Sequence, residues 1–127
     1  NIKMDEEINN QSVIFKINDT ILDIFWADNE SVSSLKTLAK DTLSINMHRY
    51  GDFEQVGSLN INLPANDEII TTSPGDICLY QSNQLVIFYG SNTYNYTKLG
   101  HINMSKLELR DLLSEEDVNI TISLKSE

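Results

Sequence analysis

The chain is poor in the residues that cross-link a fold, span a membrane or hold a nucleic acid. A single cysteine, Cys78, excludes an internal disulfide and leaves the redox compartment open. No apolar run reaches the roughly 18 residues of a membrane helix. Only 9 lysines and arginines stand against 19 acidic residues, and the net charge of −10 argues against nucleic acid and anionic membranes. The acidic balance is compatible with a cationic partner, although solubility alone also explains it.

Patterns for several kinds of catalytic or metal site are missing as well. The chain has no Gly-rich phosphate loop and no Gly-x-Ser-x-Gly elbow. Its two histidines, His48 and His101, lie far apart without a cysteine pair or a His-x-x-x-His spacing, so we expect neither a metal nor a cofactor. Cys78 falls in a predicted central strand, where a buried and unreactive thiol is expected.

The 127 residues, 40% of them hydrophobic, are typical of one soluble domain that can bury a core. Residues 1–11 are polar and acidic, which predicts a flexible leader before a single domain over residues 12–127. Leaders of this kind often join an export signal or lipid anchor to a domain. We therefore expect an extracytoplasmic protein, secreted or membrane-anchored through a preceding segment; a cytoplasmic location is the alternative.

Strand patterns dominate the chain. Alternating apolar residues on both sides of Asn18-Asp19 predict an opening hairpin, and residues 85–89 are apolar on both faces, as in a strand covered on both sides. Helices are predicted after a cap at Asp28 or Asn29 and after a capping box at Ser105, with a bulge at Gly100. The pattern predicts a mainly β barrel or sandwich of about eight strands with two short helices.

A series of specific segments runs in a set order through the chain. It includes Phe53-Glu54-Gln55-Val56-Gly57-Ser58-Leu59, Thr71-Thr72-Ser73-Pro74-Gly75-Asp76-Ile77 and Tyr96-Thr97-Lys98-Leu99-Gly100-His101-Ile102. With the order of elements over roughly residues 12–124, these segments resemble the cyclophilin-like fold proteins, small bacterial β-barrel domains. The resemblance implies a closed barrel with helices at its ends, related in shape to the peptidyl-prolyl isomerases but without implying their activity. Some members resemble lipoproteins or occur beside flavodoxin-like domains.

A cyclophilin-type isomerase site is only partly present. In true cyclophilins an arginine in a Phe-His-Arg context donates a hydrogen bond toward the prolyl nitrogen. A Phe-Met pair and a Gln follow it in the sequence, and an aromatic pocket completes the site. Met47-His48-Arg49 is similar to the first element, and Phe53 and Gln55 follow at shorter spacing. The Phe-Met pair and the pocket Trp and His have no counterpart. Arg49 is therefore either the donor of a weak isomerase or a rim residue paired with a carboxylate such as Asp52 or Glu54.

Tyrosines and amides cluster within one compact run of strands, at Tyr80, Tyr89, Tyr94, Tyr96, Gln81, Gln84 and Asn92. Such side chains form an amphipathic wall in which rings supply contact area and polar tips orient a guest. The alternative is that the tyrosines only cover the outside of the barrel with their hydroxyls in water.

These observations favour a non-catalytic barrel that binds a small molecule or a peptide at one end or groove. Arg49 is expected to anchor an anionic or carbonyl group while the aromatic rings hold the apolar part. The expected ligand-binding residues are Arg49, Phe53, Gln55, Tyr80, Tyr89 and Tyr96. Two alternatives stand beside this: a weak peptidyl-prolyl isomerase that uses Arg49, and an accessory interaction domain of an envelope or redox system.

Overall fold

Ten strands and two helices build residues 12–125, the part of the chain that the computed structural model describes. The strands are β1 (Val13–Ile17), β2 (Thr20–Leu22), β3 (Ile24–Trp26), β4 (Leu43–Tyr50), β5 (Glu54–Ser58), β6 (Glu68–Thr71), β7 (Asp76–Tyr80), β8 (Gln84–Phe88), β9 (Thr93–Ile102) and β10 (Asp117–Leu124). The helices are α1 (Glu30–Leu38) and α2 (Lys106–Leu113). The predicted leader over residues 1–11 lies outside the described residues.

The strands form a nearly closed barrel. Nine of them follow one another as β2-β1-β10-β4-β5-β8-β7-β9-β3, all neighbours antiparallel, and β6 pairs with β9 alone. Only Asp23 separates β2 from β3, so one stretch of chain pairs with β1 and with β9 and joins the two edges of the sheet. The prediction of a mainly β, closed barrel with two helices is confirmed. The strand count exceeds eight because this closing stretch forms two strands and β6 is separate.

Side chains from alternate strand positions fill the barrel. Phe15 and Ile17 of β1 and Ile120 of β10 are completely buried, and they lie beside the buried Met47 of β4. The period of two follows from the pleat, which sends successive side chains to opposite faces. Burying each such side chain contributes on the order of 1.5–3 kcal/mol, so this interior supplies the main stabilisation of the fold.

The two neighbouring strands β7 and β8 are buried on both faces. Their inward residues, such as Leu79 and Ile87, belong to the barrel core. Their outward residues Cys78, Val86 and Phe88 form a second apolar cluster together with Tyr96 of β9. The expectation of a strand covered on both sides is thus confirmed, and so is that of a buried Cys78. The second cluster lies on the outer wall of the barrel, where it supports the candidate site.

The helices cover opposite ends of the barrel. α1 begins after Asn29, whose side chain accepts a hydrogen bond from the backbone N–H of Val32 at 2.9 Å, which selects Asn29 over Asp28 as the cap. It buries Val32 and Leu35 near the start of β1. α2 begins after Ser105, as the capping box predicted, and buries Leu109 and Leu113 at the other end.

The predicted bulge at Gly100 is present. Ile77 pairs with Gly100 whereas the next residue, Cys78, pairs with Lys98, so β9 contains one extra residue. A Cβ at Gly100 would lie 2.9 Å from the carbonyl oxygen of Phe25 on the closing strand β3. Glycine therefore permits the close approach of β3 that completes the barrel.

Across residues 12–125, neither helix has the length and apolar character that crossing a bilayer demands.

Removing the cap of α1 should weaken the barrel end that it covers. We expect Asn29→Ala to lower the free energy of unfolding by about 1 kcal/mol, because the N–H of Val32 loses its acceptor. Asn29→Asp retains the acceptor and should recover most of this loss, although it removes the amide that donates to the carbonyl of Lys98. Urea unfolding of the two variants measures the difference; equal stabilities would refute the capping role.

Candidate functional site

A concave surface of about 460 Å³ lies on the outer wall, above the second apolar cluster. We call it the tyrosine pocket, and it is lined by Tyr50, Glu54, Val56, Tyr80, Gln84, Asn92, Tyr94 and Tyr96. These residues come from β4, β5, β7, β8 and β9 and from the turn before β9. Five elements of a rigid wall therefore hold the pocket, rather than one mobile loop.

Strand alternation decides which residues of β5 reach this pocket. Glu54 and Val56 line it, whereas Gln55 and Gly57, the residue after each of them, face the interior. The register pairs Glu54 with Tyr50 on β4 and with Phe88 on β8. Directly opposed residues share a face, so the carboxylate lies between an aromatic residue on each neighbouring strand.

Three tyrosine rings contact one another along one side of the pocket. The ring centroid of Tyr80 lies 5.9 Å from those of Tyr94 and Tyr96, which are 6.2 Å apart. Tyr96 is almost fully buried against Phe88, at 5.4 Å and 73°, whereas 53% of Tyr94 is exposed. The side-chain amide of Asn92 donates to the Tyr96 hydroxyl at 2.9 Å. The buried ring thus fixes the wall, and the exposed ring offers a free face to a ligand.

Glu54 is the unusual group of this surface. It is only 6% exposed, yet its carboxylate has no hydrogen-bond or ion-pair partner among residues 12–125. Burial raises the pKa of Glu54 from its ordinary value of 4.5 to about 7. Removal from water disfavours the charged form, and no neighbouring donor or cation compensates. Near neutral pH this side chain is therefore ready either to release a proton or to accept a charged guest.

Two tyrosines that line the pocket, and the thiol beneath them, remain protonated at neutral pH. Burial raises the pKa of Tyr80, with a smaller effect from Tyr94, and burial also raises that of Tyr96. Beneath them, burial followed by the charge of Asp76 raises the pKa of Cys78 to about 12. A thiol with this pKa and no exposure is inert, as the sequence predicted.

The structure divides the six predicted site residues into two groups. Tyr80 and Tyr96 line the tyrosine pocket, and Phe53 packs against the same apolar cluster with its ring edge-on to Tyr50 at 6.0 Å. These three residues lie together on the outer wall of the barrel.

The remaining three lie at the barrel end that α2 covers. The Arg49 guanidinium donates to the carbonyl of Ser114 at 2.9 Å, rather than pairing with Asp52 or Glu54. The completely buried amide of Gln55 donates to the carbonyls of Leu113 and Glu115 at 2.9 and 2.6 Å.

Tyr89 is also completely buried. Its hydroxyl donates to the Asp52 carboxylate at 3.4 Å, and the Arg110 guanidinium lies over its ring. Arg49, Gln55 and Tyr89 thus attach α2 and the turn after it to the barrel and do not join the pocket tyrosines.

Sequence reasoning missed the residue that distinguishes the pocket, Glu54, which it considered only as a partner for Arg49. Arg49 pairs across the ladder with Gln55, whereas Glu54 pairs with Tyr50 on the opposite face. Alternation along β5 held this signal, since Glu54 and Val56 must share a face. Tyr94, Gln84 and Asn92 were recognised in the aromatic and amide cluster but were not among the expected ligand-binding residues.

A second concave surface, of about 630 Å³, lies beside the start of α1. Its polar groups already bind one another: the Ser31 hydroxyl donates to the carbonyl of Pro64, and Thr97 joins Asn66 to Asp67. Groups with internal partners gain little from a ligand, so this surface is the weaker candidate.

Within the described range, no three His, Cys, Asp or Glu side chains come close enough to hold a metal ion. Asp76 stabilises the turn before β7, since its carboxylate accepts a hydrogen bond from the backbone N–H of Ser73 at 2.9 Å. The same carboxylate contacts His101 at 2.8 Å and Lys98 at 3.2 Å. This buried group is fully partnered, in contrast to Glu54.

Replacing Glu54 by Gln should change how stability depends on pH. The folded state holds the Glu54 proton more tightly than the unfolded chain, because its pKa is about 7 against 4.5. The stability that protonation confers is complete below the unfolded pKa and is lost as pH rises toward 7. From about pH 4 to pH 8, the free energy of unfolding of the wild type should therefore fall by roughly 1–3 kcal/mol relative to that of Glu54→Gln.

Urea unfolding of both proteins at the two pH values measures this difference. Asp41→Asn, which removes an exposed carboxylate after α1, is the control and should follow the wild type. Parallel pH profiles of wild type and Glu54→Gln would contradict the buried, unpaired state of the acid.

Comparison with known proteins extends these observations. In fold the chain is similar to a solved structure of McbB in complex with tryptophan, with a TM-score of 0.61 and 10% sequence identity. The match covers 91% of this chain and 45% of the McbB chain, so the chain spans less than half the length of McbB. No curated protein matches the chain.

The model of the cyclophilin-like family matches residues 15–124, which include the barrel strands, both helices and every residue of the tyrosine pocket. The chain therefore belongs to the cyclophilin-like family, as the ordered segments of its sequence indicated.

Proposed function

We propose that this domain binds a small molecule in the tyrosine pocket without catalysing a reaction on it. The observation that carries the proposal is the almost buried Glu54 carboxylate, which lacks a partner among residues 12–125 and lies beside three mutually contacting tyrosines. An unpartnered buried charge is costly, and a ligand that supplies the missing partner recovers that cost.

The dimensions and chemistry of the pocket suit a small guest. A volume of about 460 Å³ falls within the range of roughly 300–1,000 Å³ that is usual for ligand sites. Tyrosine rings and Val56 offer apolar contact, while the amides of Gln84 and Asn92 and the carboxylate of Glu54 provide a few polar anchors. An apolar surface with a small number of polar groups is the usual composition of such sites.

The wall is also held in place before a ligand arrives. Tyr96 is fixed by Phe88 and by the hydrogen bond from Asn92, and its hydroxyl proton remains available as a donor. Residues on paired strands lose little conformational freedom when they bind a guest, which favours affinity.

The solved structure with a similar fold is a complex of McbB with tryptophan, a small molecule. That complex is compatible with a binding role for this fold, and the residues of the tyrosine pocket provide the main argument. A short peptide that places one side chain in the pocket is the other form of ligand that the proposal includes.

Binding can be tested with a mixture of small neutral, cationic and anionic aromatic compounds. In NMR titrations of the labelled protein, the largest shifts should fall on residues that line the pocket. Gln84→Trp should fill the pocket and abolish them. Asn95→Trp adds the same ring on β9, on the face opposite to Tyr94 and Tyr96, and should preserve binding. Shifts that fall elsewhere, or that survive in Gln84→Trp, would refute this site.

The isomerase alternative has less support from the geometry. Its donor, Arg49, is exposed and bound to the carbonyl of Ser114, and Gln55 is enclosed beneath α2. Neither side chain lies in the tyrosine pocket. A prolyl substrate would require Arg49 to leave its partner before it could donate toward the prolyl nitrogen.

We therefore expect no acceleration of cis–trans exchange in a proline-containing peptide, measured by NMR exchange spectroscopy. Arg49→Ala serves as the control: acceleration by the wild type that is lost in this variant would establish an isomerase and overturn the non-catalytic proposal. The accessory-domain alternative and an extracytoplasmic location remain compatible with a binding role.

A further inference from the structure

The charge of the tyrosine pocket points to a ligand class. We infer that its ligand is an organic ammonium ion, whose positive charge pairs with Glu54 and whose carbon substituents lie against the tyrosine rings. This inference rests on the proposed binding function and specifies which chemistry the pocket selects.

The formal charges on the pocket lining have one sign. Among the described residues that line it, Glu54 is the single acid, and none is Lys, Arg or His. An anionic ligand would meet an uncompensated carboxylate, whereas a cation would meet its counter-ion. The chain as a whole carries a net charge of −10, which adds a long-range attraction for cations.

The aromatic rings favour the same sign of charge. The face of a tyrosine ring carries negative potential, and an ammonium group over it is attracted by about 0.5–2 kcal/mol. The ring centroids of Tyr80, Tyr94 and Tyr96 lie within 6.2 Å of one another. Tyr50, which pairs with Glu54 across the β4–β5 ladder, is 63% exposed. Rings and carboxylate therefore line the same pocket.

An ammonium ion would also resolve the state of Glu54. A buried carboxylate without a partner is unfavourable, and a cation beside it supplies the missing opposite charge. A neutral sugar could stack on the rings and bond to the amides, but it would leave the carboxylate charge uncompensated. The cation thus explains a feature that a neutral ligand leaves unexplained.

Binding of the cation should be coupled to release of the proton from Glu54. Other titratable side chains that face or adjoin Glu54 are phenols and one thiol: Tyr50 from β4, Cys78 and Tyr80 from β7, and Tyr94 and Tyr96 from β9. β8 contributes Gln84, Val86 and Phe88, which do not titrate. Since burial holds the pKa of Glu54 near 7, the cation must displace a proton in more acidic solution. Affinity should therefore rise with pH and level off above 7.

A pair of isosteric probes isolates the charge. Choline and 3,3-dimethylbutan-1-ol share one shape, with a charged nitrogen in the first and a neutral carbon in the second. In NMR titrations at pH 8, choline should bind about tenfold or more tightly and shift the signals of Glu54, Tyr80 and Tyr94. Between pH 5.5 and 8 its affinity should rise by roughly five- to tenfold, while that of the alcohol stays constant.

Variants assign the two parts of the site. Glu54→Gln should weaken choline by about tenfold and abolish the pH dependence, with no effect on the alcohol. Tyr94→Leu removes the ring and should weaken choline binding by about threefold or more, and Tyr94→Phe, which restores a ring, should recover most of that loss. Asp41→Asn changes the net charge equally at an exposed residue outside the pocket lining and should match the wild type.

The outcomes separate this inference from the binding function itself. Equal affinity for both probes, pH-independent choline binding, or preference for a sugar or an anion would overturn the ammonium ligand and leave a small-molecule pocket in place. Absence of choline binding while neutral fragments still bind would do the same. If no probe of any charge shifts the pocket residues, the proposed function fails together with this inference.

Discussion

The pairing of β5 between β4 and β8 is the constraint on which the candidate site depends. At Gly57 of β5 an added Cβ would lie 2.7 Å from the carbonyl oxygen of Asn46 on β4. These two strands therefore pack closely only because position 57 has no side chain. With β5 held in that register, Gln55 faces inward and Glu54 faces outward. A slip by one residue would exchange them, placing an acid in the barrel and an amide on the wall.

The two faces of β5 consequently serve different purposes. Inside, the Gln55 amide binds two carbonyls at the end of α2 and attaches the helix to the barrel. Outside, Glu54 has no such partner within the described chain and borders open space. A polar group that stabilises a fold is normally satisfied by that fold. Because Glu54 is not, its position supports the binding role that we propose.

Much of the fold follows from local patterns in the chain. Asn29 and Ser105 begin the helices, alternation places Phe15 and Ile17 in the core, and Gly100 carries the bulge. These features depend on near neighbours, and the sequence displays them directly. The site depends on pairings between distant segments, such as Glu54 with Phe88 and Tyr80 with Tyr94. For that reason the predicted residues included Tyr80 and Tyr96 but combined them with Arg49 and Tyr89 from another part of the barrel.

The sequence by itself determined a mainly β barrel with two capped helices, a buried thiol and an acidic surface, because composition and periodicity act within short stretches of chain. It also placed tyrosines and amides close together along β7 to β9. Only the tertiary structure decided that Arg49 binds the carbonyl of Ser114 and that Glu54 stands beside the tyrosines without a partner among residues 12–125. Strand order and register make that decision, since they bring residues dozens of positions apart onto one face and remove one carboxylate from water.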